Sequence, residues 1–218
     1  MFTRHTTQSH FGTHSAVHSR LEAVDHLSAT LFLAVWRLHM PPVPSTGAKT
    51  AAALDFRKSL LETFAINEKA NQLLLSHIAE AAWQAPPPPS GKGRSIAGIA
   101  AHIHHVRLMW LSAADKTAKH PAKLDPDKAS RPEVQAALKA SSAAIHNLLL
   151  KALDDPAGKV PHFKPDVVAF VGYLISHDSH HRGQISMLAR QLGHPVPTET
   201  GFGLWEWGSL WRECGFGK

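Results

Sequence analysis

Two short runs of this chain concentrate imidazoles: Ala101-His102-Ile103-His104-His105 and His177-Asp178-Ser179-His180-His181. His177 and His181 are four residues apart, the spacing at which two side chains on one helix share a face and can grip a single metal ion. At about 100° per residue, Val167, Val171, Leu174, Leu188 and Leu192 define an apolar stripe on that helix. His181 falls inside the stripe and His177 at its edge, whereas His180 turns toward solvent. A lone interior histidine is ordinarily a hydrogen-bonded core residue. Two of them, one turn apart in an apolar setting, need separate partners unless one cation satisfies both nitrogens. In the other run, Ile99, Ile103, Val106 and Trp110 set the stripe. His102 lies at its border and is the expected third ligand, with His105 second; His104 and His105 point more outward. Two ligands from one helix and one from a neighbour leave coordination positions open, as in a catalytic site. An all-imidazole set suits zinc, nickel, iron or copper.

Around these residues, Asp178 falls on the interior side of its helix. It is expected either to accept the second N–H of a ligand imidazole or to act as a base beside the metal. Pairing with Arg182, four residues on, is the structural alternative. Gln184 is the expected substrate-binding residue; with Arg182 it has the chemistry to hold a carboxylate. The string from His177 to His181 resembles the HExxH pattern of metalloproteases only weakly, because aspartate replaces glutamate and no third ligand follows. Trp205, Trp207 and Trp211 either line the site mouth or pack over a bundle end.

The elements that must position these groups read as helices. The first is expected from about Leu54 to Trp83 and is stopped by the prolines from Pro86 to Pro89. The second runs from Ile96 to about Asp115 behind Ser95 as N-cap. Ser130-Arg131-Pro132-Glu133 reads as a capping box opening a third helix that continues through Leu153. The fourth starts at Pro165-Asp166 and ends at Gly193. No alternating strand pattern appears, so the fold class is all-α, a four-helix bundle spanning residues 51–218. Residues 1–50 differ in composition, being rich in His, Ser and Thr. They are read as a loose N-terminal extension with one candidate helix, Ser19 to Leu38, and Met40 could begin a complete domain.

Composition narrows the classes further. The chain has 218 residues, 44% hydrophobic and 18% charged, enough for one well-filled core. Its one cysteine, Cys214, excludes an internal disulfide framework or a cysteine-built zinc site. Histidine is the unusual entry, with 17 copies against one tyrosine. The formal charge is +6, but the lysines and arginines are scattered and no aromatic–basic interleaving suggests base stacking, so nucleic acid is not expected as a partner. No apolar run approaches the roughly 20 residues of a membrane span. Leu27 to Trp36 lacks a cleavage site, and the expected location is cytoplasmic.

Ala70-Asn71, Ser95-Ile96 leading to Ala101-His102-Ile103, Trp110-Leu111, the run from His177 to Ile185, and Leu204-Trp205-Glu206-Trp207 together resemble the DinB/YfiT-like family. The likeness covers about Ala51 to Trp207. It implies an up-down-down-up bundle with a three-histidine metal site, for which His102, His177 and His181 are the matching positions, and a homodimer. Zinc or nickel, then iron, are the implied metals. Some members are thiol transferases that use low-molecular-weight thiols, or related isomerases. The function expected here is a metal-dependent thiol S-transferase or hydrolase acting on a small molecule. The alternative is a noncatalytic metal-binding bundle in stress response or dimerisation.

Overall fold

The computed structural model describes residues 53–88 and 93–217. The candidate helix at Ser19 to Leu38 and the proposed extension over residues 1–50 lie outside the described residues. The described residues form seven helices joined by loops, with no strand among them. Four are long: α1 (Phe56–Ser76), α3 (Ile96–Ala114), α4 (Arg131–Asp154) and α5 (Val167–Gln191). Three are short: α2 (Glu80–Trp83), α6 (Thr198–Gly203) and α7 (Trp207–Glu213).

Each long helix begins where a side chain satisfies the orphan N–H groups of its first turn. Asp55 accepts from the Lys58 N–H, Ser95 from Gly98 and Asp166 from Ala169. Ser130 and Glu133 form the expected capping box at the start of α4. The first expected helix is shorter than its pattern suggested. Ser76 Oγ–H and the His77 ring both bond the Leu73 carbonyl, at 2.8 and 2.9 Å, and the His77 N–H turns to Leu74 instead. Side chains have taken the acceptor that the next helical turn needed. The chain then restarts as α2, whose Trp83 is buried and donates from Nε1 to the Ala129 carbonyl at 2.9 Å.

The order of the long helices follows from two apolar clusters. One joins the end of α1 (Leu74, Leu75), the start of α3 (Ile96, Ile99, Ile103), the start of α4 (Val134, Leu138) and the end of α5 (Ile185, Leu188). The other joins the start of α1 (Leu60, Phe64), the end of α3 (Leu108, Leu111), the end of α4 (Ile145, Leu149) and the start of α5 (Val167, Phe170, Leu174). Helices α1 and α5 therefore run one way and α3 and α4 the other, which is the up-down-down-up bundle. Helices α6 and α7 pack on α1, with Leu210 buried and Trp211 Nε1–H donating to Glu62 at 2.8 Å.

Between the two apolar clusters lies a polar layer: Asn67, Glu68 and Asn71 from α1, His104 and Arg107 from α3, Ser141 from α4, and Asp178 and His181 from α5. Every one of these is buried. Such a layer persists only if its members satisfy one another.

Candidate metal centre

Helices α3 and α5 pack against each other and bring His102 beside His177 and His181. One ligand nitrogen from each ring lies within 4.8 Å of the other two. His177 Nε2 and His181 Nε2 are 3.1 Å apart. A tetrahedral ion with metal–nitrogen distances of about 2.0–2.1 Å sets its ligand nitrogens about 3.3 Å apart, so this pair is already at ligand spacing.

The opposite sides of these rings are taken. Nδ1–H of His181 donates to Gln184 Oε1 at 2.7 Å, and Nδ1 of His177 faces Asp178 Oδ1 at 3.4 Å. Those partners place the protons on Nδ1 and leave both Nε2 lone pairs bare. Two bare nitrogens 3.1 Å apart repel unless a cation lies between them or one ring gives up its Nδ1 bond. The residues present therefore fit a divalent metal ion.

Electrostatics favour the neutral, ligating imidazoles. Burial first, then the positive charge of Arg94 and the neighbouring rings of His181, His177 and His105, push His102 down to about 4. Burial also lowers His181, opposed by its bond to Gln184 and reinforced by His177 and His180.

Behind His177 stands a buried polar network. Asp178 Oδ2 accepts from Arg107 at 2.7 Å, Asn67 at 2.8 Å and Asn71 at 2.9 Å. Arg107 reaches across to Glu68 at 2.7 Å and to the Leu138 carbonyl at 3.1 Å. Arg182 donates to the side-chain oxygens of Asn67 and Asn71, at 2.8 and 2.6 Å, and to Ser179 at 2.7 Å. Burial opposes the Asp178 charge, but the Arg107 guanidinium, with bonds from His177 and Asn71, holds its carboxyl far below the usual carboxylate range. Burial likewise opposes the Arg107 charge, and Glu68 and Asp178 outweigh it and keep the guanidinium protonated. With Arg182 at its edge, the network's two cations, Arg107 and Arg182, balance its two anions, Glu68 and Asp178.

Several expectations change on these contacts. Asp178 pairs with Arg107 rather than with Arg182. Arg182 is hydrogen-bonded to the two asparagines that hold Asp178, not to Asp178 itself. An aspartate so strongly held ionised, and engaged by three donors, suits orienting His177 far better than moving protons. Gln184 lies against His181, and its side-chain carbonyl serves that ring. His104 does not point outward: it is fully buried, with Nε2 bonded to the Ala122 carbonyl at 2.9 Å. His105 accepts from the Leu124 N–H at 3.1 Å and anchors the same connection rather than joining the cluster. The α3–α4 connection packs over that face of α3, which helical phase alone leaves open. Trp205 is 82% exposed and borders a hollow with Arg182, Gly183 and Leu204, whose lining does not include the three histidines.

Arg107, Glu68 and Asn67 were not expected as site residues, and Asn71 entered only through a resemblance. Arg107 had a signal: it is the one residue of formal charge in the 19 residues of α3, one turn beyond Ile103. A charge alone on an apolar helix implies a buried partner.

The family model described as the DinB family matches residues 50–208. The chain belongs to the DinB family. No curated protein and no solved structure matches the chain.

Proposed function

We propose that this DinB protein binds one divalent metal ion through His102, His177 and His181 and uses it as a metal-dependent enzyme of the thiol S-transferase or hydrolase type. The observation that carries the reading is the convergence of two bare Nε2 atoms at 3.1 Å with a third imidazole nitrogen within 4.8 Å. A divalent cation held by three neutral imidazoles supplies Lewis acidity that favours the ionised form of a water or thiol near neutral pH. The chain's own contribution is positional. Gln184 fixes the His181 ring, Asp178 fixes the His177 ring, and Asp178 is itself held by Arg107, Asn67 and Asn71. On this reading Gln184 also presents its amide to a substrate. Three protein ligands leave room for a small molecule, a low-molecular-weight thiol in the transferase case. Zinc or nickel suits the donor set, with iron next. The family resemblance supports a homodimer, the scattered lysines and arginines support a protein without nucleic acid as its partner, and a cytoplasmic location is part of the same proposal. No helix among the described residues is long and apolar enough to cross a membrane.

Elemental analysis of the untagged full chain beside its His181→Ala and His102→Ala variants tests the metal. The leading outcome is one equivalent fewer in each variant than in the wild type, since histidines elsewhere contribute equally to all three. Equal metal content in all three proteins sinks the site. Thiol-conjugation and esterase assays on the loaded protein then separate the two chemistries. A second reading, a noncatalytic metal-binding bundle, is favoured by one observation: the His177 ring leads directly into the buried network of Asp178 and Arg107. If metal removal lowers the melting temperature by several degrees and no substrate panel shows turnover, that reading prevails.

A further inference from the structure

A cavity of about 570 Å³ opens beside the candidate metal centre, lined by Gly93, Arg94, Ile99, Gln184, Met187, Leu188 and Gln191. Gln184 joins the two. Its Oε1 holds His181 at 2.7 Å, and its amide nitrogen, which takes no bond to another described residue, is left to donate toward the cleft. Arg94 lines the same cavity, and its charge lowers the pKa of His102. Among the described residues no carboxylate lies within ion-pair distance of Arg94. No acidic side chain lines this cavity at all, whereas Ile99, Met187 and Leu188 give it an apolar floor.

The Arg94 side chain is exposed, and its stem starts over the first turn of α3. A Cβ at Gly98 would approach Arg94 Cβ to 3.1 Å and Ser95 Oγ to 3.4 Å, so the glycine lets the arginine stem lie close over the first turn of α3. A guanidinium with no carboxylate partner among the described residues, beside an amide donor and an apolar wall, is a recognition surface for a planar anion. Arg94 also borders a hollow on its other side, with Gln84, Pro126 and Asp127, but no ion pair joins it to Asp127.

We infer that Arg94, with the Gln184 amide, forms an anion subsite that selects substrates carrying a carboxylate next to the group that meets the metal, with their aliphatic portion on Ile99, Met187 and Leu188. The inference rests on the open-site reading above and adds the charge of the substrate to it. Arg94 acts here as a specificity residue, not as a metal ligand.

The test uses the full chain loaded with cobalt(II), whose visible absorption reports thiolate binding without any turnover. Two probes are titrated, 3-mercaptopropionate and the uncharged 2-mercaptoethanol, into wild type, Arg94→Ala, Arg94→Lys and Asp127→Asn. Arg94→Ala is expected to weaken 3-mercaptopropionate about tenfold while leaving 2-mercaptoethanol within about twofold. Arg94→Lys is expected to recover part of the loss, since it keeps the charge without the fork. Asp127→Asn leaves both probes unchanged, and cobalt content stays equal throughout. If Arg94→Ala weakens both thiols equally, or neither, the subsite is wrong while the open site stands. If cobalt binds but neither thiol alters its spectrum in the wild type, the open-site reading fails and takes the subsite with it.

Discussion

The ends of the bundle and its middle are built on opposite principles. At the ends, Leu74, Ile96, Leu138 and Ile185, or Phe64, Ile145, Leu149 and Phe170, exclude water with side chains that need no particular partner. In the middle, Arg107, Asp178, Glu68, Asn67 and Asn71 are just as buried, but each depends on a specific neighbour within 3 Å. Apolar ends tolerate exchange of one hydrophobe for another of like volume. The polar middle tolerates almost none, because a lost partner strands a charge in a low-dielectric interior. The difference indicates where stability and function are stored. The ends hold the helices together, and the middle holds His177 at an angle that a purely apolar core would not specify.

The most severe test of that contrast is Arg107→Ala. Stranding Asp178 and Glu68 is expected to cost about 3–5 kcal/mol, read from urea unfolding, and to abolish tight metal binding in whatever remains folded. A loss of under about 1 kcal/mol would mean that Asp178 and Glu68 do not depend on Arg107 as described. Leu149→Ala, in an apolar end, is expected to cost about 2–5 kcal/mol while leaving metal affinity per folded molecule unchanged. If affinity falls with it, the two regions are not separable. Asp178→Asn keeps the volume and removes the charge. It should weaken metal binding by about 10–100-fold, measured by competition with a chelator, through loss of the His177 orientation.

A smaller effect follows from protonation. His102, His104, His105 and His181 all have lowered folded pKa values, with burial the leading cause in each. The unfolded chain therefore binds more protons below its histidine pKa of about 6.5, so this stability is full above that pH and declines as pH falls. For His102 the window extends down to about 4. The depressed Asp178 continues the same trend at lower pH: its contribution is present above the unfolded carboxylate value of about 3.9 and is lost below it. Urea midpoints for the metal-free protein should thus fall steadily from pH 7 to pH 4, and a flat profile would contradict the burial of these imidazoles. Least of all, Trp205→Ala on the 82% exposed ring should move stability by no more than about 0.5 kcal/mol and leave metal content untouched.

What the linear chain specified was local. Caps at Ser95, Ser130 and Asp166 set three helix starts, because a capping side chain bonds within its own first turn. The spacing of His177 and His181 put both on one face, and phase placed His102 at the border of another. These features repeat every 3.6 residues and need no knowledge of neighbours. The break at His77 was hidden because competition between Ser76, His77 and the backbone for one carbonyl is decided by rotamers rather than residue type. Arg107 meets Asp178 across 71 residues of chain, and Asn67 meets it across 111. Pairings of that reach exist only once four helices have chosen an order and direction. Burial of His104 under the connection to α4, and the placing of Arg94 beside the cleft that adjoins His181, were settled by the same step. Periodicity decides which face of a helix is inside, but only packing of the whole bundle decides what that face touches.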